Sequence, residues 1–167
     1  MTDQLTSPHI PAVGFVSELS KEDRDLLSSY GSFHLGEAGD TLIHEGESHG
    51  KLFFLISGLL HAKRNDDNRD VLLGAIHQGE WVGEVDLCDP GAAVCSVVII
   101  EDAQYWMIAR SDFMEFTRNY PEAGNQLLYG MASTLSKRLR GVTRKLMEET
   151  EIAAVRAALL ENGHKFP

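Results

Sequence analysis

A chain of 167 residues, 43% of them hydrophobic, is long enough to bury a core and suits one domain. Its formal net charge of −10 is unevenly spread: residues 1–132 hold 8 basic and 21 acidic side chains, and residues 133–167 hold 7 and 4. So acidic a body disfavours a polyanionic partner such as DNA. No basic-then-apolar leader opens the chain, its longest mostly apolar run, Ala92–Ile100, is too short to cross a bilayer, and Cys88 and Cys95 make no disulfide framework. A cytoplasmic protein with no membrane partner is expected.

Residues 1–17, with Pro8 and Pro11 and no periodicity, read as an irregular lead-in. Ser20 followed by Asp23 resembles a capping box, so a short helix is expected from there to Gly31, with Leu26 and Leu27 on its apolar face. From Phe33 to Ile108 the signal is that of short strands with turn punctuation. Thr41–His44 precedes the turn Glu45-Gly46-Glu47. Lys51–Ser57 reads as a buried strand, Gly58 as a bend, and Leu59–Lys63 as a continuation. Asn65–Asn68 is a polar hairpin tip from which Val71–Ile76 returns. Cys95–Ile100 and Ala103–Ile108 read as a last pair turning at Glu101-Asp102. After Arg110 the period becomes helical. Ser111 is expected to cap a short helix through Phe116, and Pro121 suits the first turn of a long one. Leu128, Ala132, Leu135, Leu139, Val142 and Leu146 alternate spacings of four and three, the pattern of a coiled-coil seam. Glu149 breaks the seam, and Ala153–Leu160 is helix-prone again.

The organisation expected is therefore a lead-in over 1–17, a β-rich body with flanking helices over 18–120, and a long helical segment over 121–162. The fold class is mainly β with α: an antiparallel β-roll, a jelly-roll-like barrel, flanked by an N-terminal helix and by C-terminal helices, one of them long. The helical seam predicts a symmetric homodimer.

Four groups of residues carry a resemblance. They are Gly36-Glu37 with Gly46-Glu47, then Leu52–Gly58, then Gly79-Glu80 with Gly83-Glu84, and finally Ile108-x-Arg-Ser-Asp-Phe113. In this order and spacing the chain resembles the cyclic nucleotide-binding domain family over residues 15–146. The resemblance implies a β-roll whose cassette, here Gly83 to Ser96, holds a cyclic phosphate on the backbone N–H groups around a short helix. It also implies an Arg paired with the phosphate, a Glu on the ribose hydroxyl, and a long helix over the base. Carried over by position, Glu84 matches the ribose-binding Glu. Gly83 matches the glycine that lets backbone approach ligand, and Ser96 the small or hydroxyl residue near the cassette's end. The Arg slot falls on Ala93, and Val94 lacks the hydroxyl associated with cGMP. Gly83, Glu84, Val85, Ala93, Val94, Cys95 and Ser96 form the candidate ligand-binding set, with cAMP or cGMP as the candidate ligand and no other cofactor. Asp86 and Asp89 add negative charge nearby, while Lys63, Arg64 and Arg69 on the hairpin are candidate substitutes for the missing Arg. Phe113, Phe116 and Leu127 are expected to meet Val85 and Leu87 at a hinge.

Other clusters read as structural. His34, His44, His49, His61 and His77 show no His-x-His spacing of a metal barrel. Cys88 and Cys95 sit among acidic and apolar residues that suppress thiolate reactivity. Lys137, Arg138, Arg140, Arg144 and Lys145 flank the helical seam, and Trp81 and Trp106 are packing residues, with Trp81 at the cassette mouth. Only residues 147–167 follow the seam, too few for a helix-turn-helix domain, so DNA binding by this chain is not expected. No nucleophile–base pair, metal cluster or Walker loop points to an enzyme. Two functions stay open. One is a sensory domain that binds a small ligand in the roll and signals through the C-terminal helices. The other is a degenerate, ligand-free domain acting as a dimerisation or protein-interaction module.

Overall fold

The computed structural model describes residues 9–66 and 69–161, the last four of these by backbone alone. Helix α1 (Lys21–Ser29) begins where expected: Ser20 Oγ accepts from the Asp23 N–H at 3.0 Å and donates to the Asp23 carboxylate at 2.6 Å. The lead-in is less irregular than its sequence suggests. Gly14–Glu18 forms a 3-10 turn, Ile10 and Val16 are buried, and Phe15 stacks on Trp81 with ring centroids 5.0 Å apart. Two prolines conceal this, because tertiary contacts and not local periodicity order the segment.

Six strands follow among the described residues: β1 (Ser32–Gly36), β2 (Thr41–Ile43), β3 (Lys51–Asp66), β4 (Arg69–Ile76), β5 (Trp81–Val82) and β6 (Ser96–Ala109). All pairings are antiparallel, in the order β1-β6-β3-β4, with β2 also on β6 and β5 on β3. This is the expected fold class, with fewer and longer strands. Lys51–Ser57 and Leu59–Lys63 are one strand, and so are Cys95–Ile100 and Ala103–Ile108, apart from Cys95 itself. The turn expected at Glu101-Asp102 is instead a shared corner. The β3–β6 register shifts between Leu55 and Leu60, opposite Tyr105 to Ile99. Gly58 makes the corner possible: its φ is +96°, and a Cβ there would lie 2.7 Å from the Asp102 carbonyl oxygen. Both strands therefore bend together without losing the ladder. Of the expected hairpin tip, Asp67 and Asn68 lie outside the described residues.

Alternation along β3 builds two cores. Phe53, Leu55 and Leu60 face the roll interior with Ile43, Ile76, Val82, Val97, Ile99 and Ala103. Leu52 and Phe54 are buried on the opposite face, where Phe54 meets Trp81 at 5.0 Å and Trp81 meets Trp106 at 6.4 Å. Trp81 is thus a core residue on the face away from the roll interior and not a residue of the cassette mouth.

Helix α2 (Glu84–Cys88) interrupts the sheet, and α3 (Arg110–Asn119) and α4 (Pro121–Glu161) follow it. Ser111 does not cap α3: the N-cap is Ala109, without a side-chain bond, and Ser111 Oγ donates to Asp112. Pro121 opens α4 as expected, and the helix runs on through Glu149. The chain divides into two compact units, the first running to Gly130 and the second from Met131. The first turns of α4, residues 121–130, belong to the unit that contains the β-roll. In the second unit, Leu139, Val142 and Leu146 of the seam are 68%, 55% and 59% exposed. No helix among the described residues is long and apolar enough to cross a membrane.

Candidate functional site

The cassette starts where β5 ends. Gly83 takes a φ of +96° as the N-cap of α2, and a Cβ there would stand 2.4 Å from the Lys51 carbonyl oxygen. Only glycine lets the chain turn so close to β3. Glu84 follows as the first helical residue and is buried, at 3% exposure, whereas Val85 is half exposed. That burial removes the Glu84 carboxylate from bulk water.

Asp86, read from the sequence only as nearby negative charge, holds the cassette together. Its buried carboxylate accepts from the N–H groups of Gly50 at 2.5 Å, Gly91 at 2.9 Å and His49 at 3.1 Å, and from Ser48 Oγ at 3.3 Å. One side chain thereby ties α2 to the segment before β3 and to the loop after α2. The Gly91 N–H, then that of Gly50, hold its pKa down at about 2, against an ordinary 3.8. His49 lies beside it, with Nδ1 3.7 Å from Asp86 Oδ2. That nitrogen accepts from the Lys51 N–H at 3.1 Å, so it cannot also donate to the carboxylate. Burial pushes the His49 pKa down despite the adjacent charge, and the contact is packing against a neutral imidazole rather than an ion pair.

The loop after α2 returns alongside the turn that follows β2. Ala93 N–H donates to Glu47 O at 2.9 Å, and Gly46 N–H donates to Ala93 O at 2.8 Å. Ala93 packs its methyl on the roll-interior core, while Val94 is 66% exposed. Neither position carries a cation. Cys95 is half-buried, and Ser96 Oγ accepts from the Glu45 N–H at 3.0 Å. The candidate set therefore falls in two groups: Gly83, Glu84 and Val85 at the helix, against the start of β3, and Ala93 to Ser96 at the entry of β6, opposite Lys63. Two surface grooves, of about 530 Å³ along α1 at Lys21 to Ser29 and about 480 Å³ along α4 at Glu149 to Ala157, include none of these residues.

Sequence reasoning missed the connection from cassette to helices. Arg110 donates from Nε to the Leu87 carbonyl of α2 at 2.9 Å, and its N–H donates to Gly50 O at 2.9 Å. The first residue of α3 is thus bonded to the cassette helix by a side chain. Phe113, Phe116, Leu127 and Leu87 are all buried, while Val85 is half exposed. Asp86 and Arg110 were both legible as charged residues. What could not be read was that each is spent on backbone groups distant in sequence.

Comparison with known proteins agrees with this architecture. The family model described as "Cyclic nucleotide-binding domain" matches residues 36–120, just over half of the chain. The chain is 28% identical over 123 residues to the cyclic AMP receptor protein of Thermus thermophilus, covering 73% of this chain and 55% of that protein. It is 26% identical over 141 residues to patatin-like phospholipase domain-containing protein 7 of Mus musculus, covering 81% of this chain and 10% of that one. The chain thus spans about half the length of the first and a small part of the second. Among solved structures, the Thermus thermophilus catabolite activator protein superposes with a TM-score of 0.72 at 25% identity, covering 95% of this chain and 73% of that one. A cyclic nucleotide-binding domain from Methylobacillus flagellatus KT gives 0.73 at 20% identity, covering 78% and 74%. That second likeness bears on the fold alone.

The Asp86 bonds generate a pH prediction. A carboxylate with a depressed folded pKa stabilises the fold above its unfolded value near 3.8, and that contribution fades as pH falls through about 2. Urea unfolding at pH 7 should show Asp86→Asn less stable than the unchanged chain by about 2 kcal/mol. The gap should narrow between pH 4 and pH 2, and a pH-independent gap would show that the charge is not what holds the loops.

Proposed function

We propose that this chain, which belongs to the cyclic nucleotide-binding domain family, is a regulatory domain that takes a cyclic nucleotide in its β-roll and passes the event to its C-terminal helices. The observation that carries the reading is the cassette itself. Gly83 brings backbone against β3, Glu84 is buried at the head of α2, and Ser96 closes the set, all within the span the family model matches. Relatives named for cyclic AMP support the ligand class. Affinity should be low, since a cassette without an Arg of its own forfeits a preplaced charge-assisted pair of about 1.5–3 kcal/mol, or roughly ten- to a hundredfold.

The uncharged Ala93 and Val94 favour one alternative: a descendant that no longer binds nucleotide and serves as a dimerisation or protein-interaction module. Titration calorimetry separates the two. The first reading expects weak but saturable heats with cAMP or cGMP, and Ala93→Arg should tighten binding about tenfold or more. A gain from Val94→Arg instead would move the Arg slot by one residue. Absence of binding in the unchanged chain and in both variants would leave the interaction module as the function.

Output would run through Arg110, because its guanidinium bonds α2 to the start of α3. A ligand that prefers one arrangement of α2 then biases the helices that follow. Hydrogen exchange should show protection changing in residues 84–88 and in residues 110–146 when cAMP saturates the chain. Unchanged exchange in the helices would mean binding without switching.

Assembly would use the second unit. Leu139, Val142 and Leu146 are too exposed for a lone helix of this length, and pairing them with a second copy removes that apolar stripe from water. Light scattering should find a dimer, and Leu139→Glu should yield monomers. A monomeric unchanged chain at high concentration would refute the pairing.

A further inference from the structure

We infer that Arg64, on β3, is the cation that pairs with the ligand's phosphate in place of the Arg missing from the cassette. The inference rests on the reading that the roll takes a cyclic nucleotide. A cyclic phosphate keeps its negative charge at neutral pH, and burying it beside Glu84 requires a positive partner. Ala93 and Val94 supply none.

The strand register selects Arg64. Leu60 lies in the roll-interior core, and Ala62 packs against it. Ala62 stands opposite Val97, another interior residue, and Lys63 opposite Ser96. Period-two alternation then places Arg64 on the interior face, one residue beyond that last rung, where the chain leaves the cassette. Lys63 belongs to the other face and leans toward Asp70 at 3.9 Å. Arg69 stands opposite Asp66 in the strand register, one rung further toward the hairpin end than Asn65 and Asp70. Lys51 opens β3 at the end where Gly83 packs, beyond the Gly58 corner from the rung that joins Lys63 to Ser96.

Contacts of Arg64 lead back to Ala93. Its Nε lies 3.7 Å from Glu45 Oε1, while Glu45 Oε2 accepts from the Asn65 N–H at 3.0 Å. The next residue, Gly46, donates its N–H to Ala93 O, and the Glu45 N–H donates to Ser96 Oγ. Arg64, Glu45, Ala93 and Ser96 therefore converge at one end of the roll. The Arg64 side chain is 61% exposed, so little packing opposes its movement, and 3.7 Å is a loose ion pair in partial contact with water. A phosphate offering two oxygens to the planar guanidinium outcompetes such a contact. Glu45 then acts as the resident acceptor that holds Arg64 in the unliganded chain and weakens nucleotide binding.

The test is calorimetry of the full chain with cAMP, using adenosine as a phosphate-free control. Arg64→Gln should weaken cAMP about tenfold or more and leave adenosine unchanged. Glu45→Gln should tighten cAMP several-fold, and Lys21→Gln, on α1 beside Asp25, should have no effect. Circular dichroism and thermal midpoints matching the unchanged chain confirm that each variant is folded. If Arg64→Gln binds cAMP as the unchanged chain does, or loses cAMP and adenosine equally, the role of Arg64 is overturned while the nucleotide reading stands. If neither the unchanged chain nor Glu45→Gln binds cAMP or cGMP at millimolar concentration, both the reading and the inference fall.

Discussion

The close approach of Gly58 to the Asp102 carbonyl is the constraint from which the rest of the molecule follows. β3 and β6 are long enough to form a flat, two-sided ribbon. Bending both at the same level curls the ladder into a roll with an inside and an outside. The inside collects Phe53, Leu55, Leu60, Val97 and Ile99. The outside collects Leu52, Phe54 and Trp106 for the helices to cover. With a side chain at position 58 the two strands could not share the corner, and one of the two cores would lose its shape.

A roll with an open end needs something to finish it, and here the cassette does so. Its five-residue helix is too short to be stable alone, so its position is imposed by its surroundings. Gly83 admits it against β3, Asp86 fastens it to two loops, and Arg110 fastens it to α3. The last two spend a charged side chain on backbone hydrogen-bonding groups. The ligand would enter a site already shaped by interactions with no chemical part in binding it.

The same economy explains why the charges near the site misled when read as a string. Asp86 looks like repulsion toward a phosphate, yet the N–H groups of His49, Gly50 and Gly91 enclose its charge. Arg64 looks like a hairpin-tip residue, yet its register points it along the face that Leu60 and Ala62 line. Trp81, adjacent to the cassette in sequence, stands on the opposite side of the sheet because β5 pairs it with Phe54. In each case the deciding fact is which face of a strand a residue occupies, and a bulge or corner anywhere upstream changes that parity.

The amino-acid sequence by itself determined the order and type of the elements, the cap at Ser20, the helix start at Pro121 and the ordered glycines that carry the family's imprint. These are local matters of propensity, capping and turn geometry. It also showed that neither Ala93 nor Val94 carries a charge, which needs no structure to be seen. Only the tertiary structure decided that two expected strand pairs are single bent strands and that Phe15 anchors the lead-in on Trp81. It alone decided that Asp86 is a fastener, that Arg110 bonds the cassette helix to α3, and that Arg64 shares the strand face of Leu60 and Ala62. Those outcomes depend on pairing residues far apart along the chain. Such pairs are selected by the burial of whole sheet faces and the satisfaction of backbone hydrogen bonds, and neither leaves a periodic trace in the sequence.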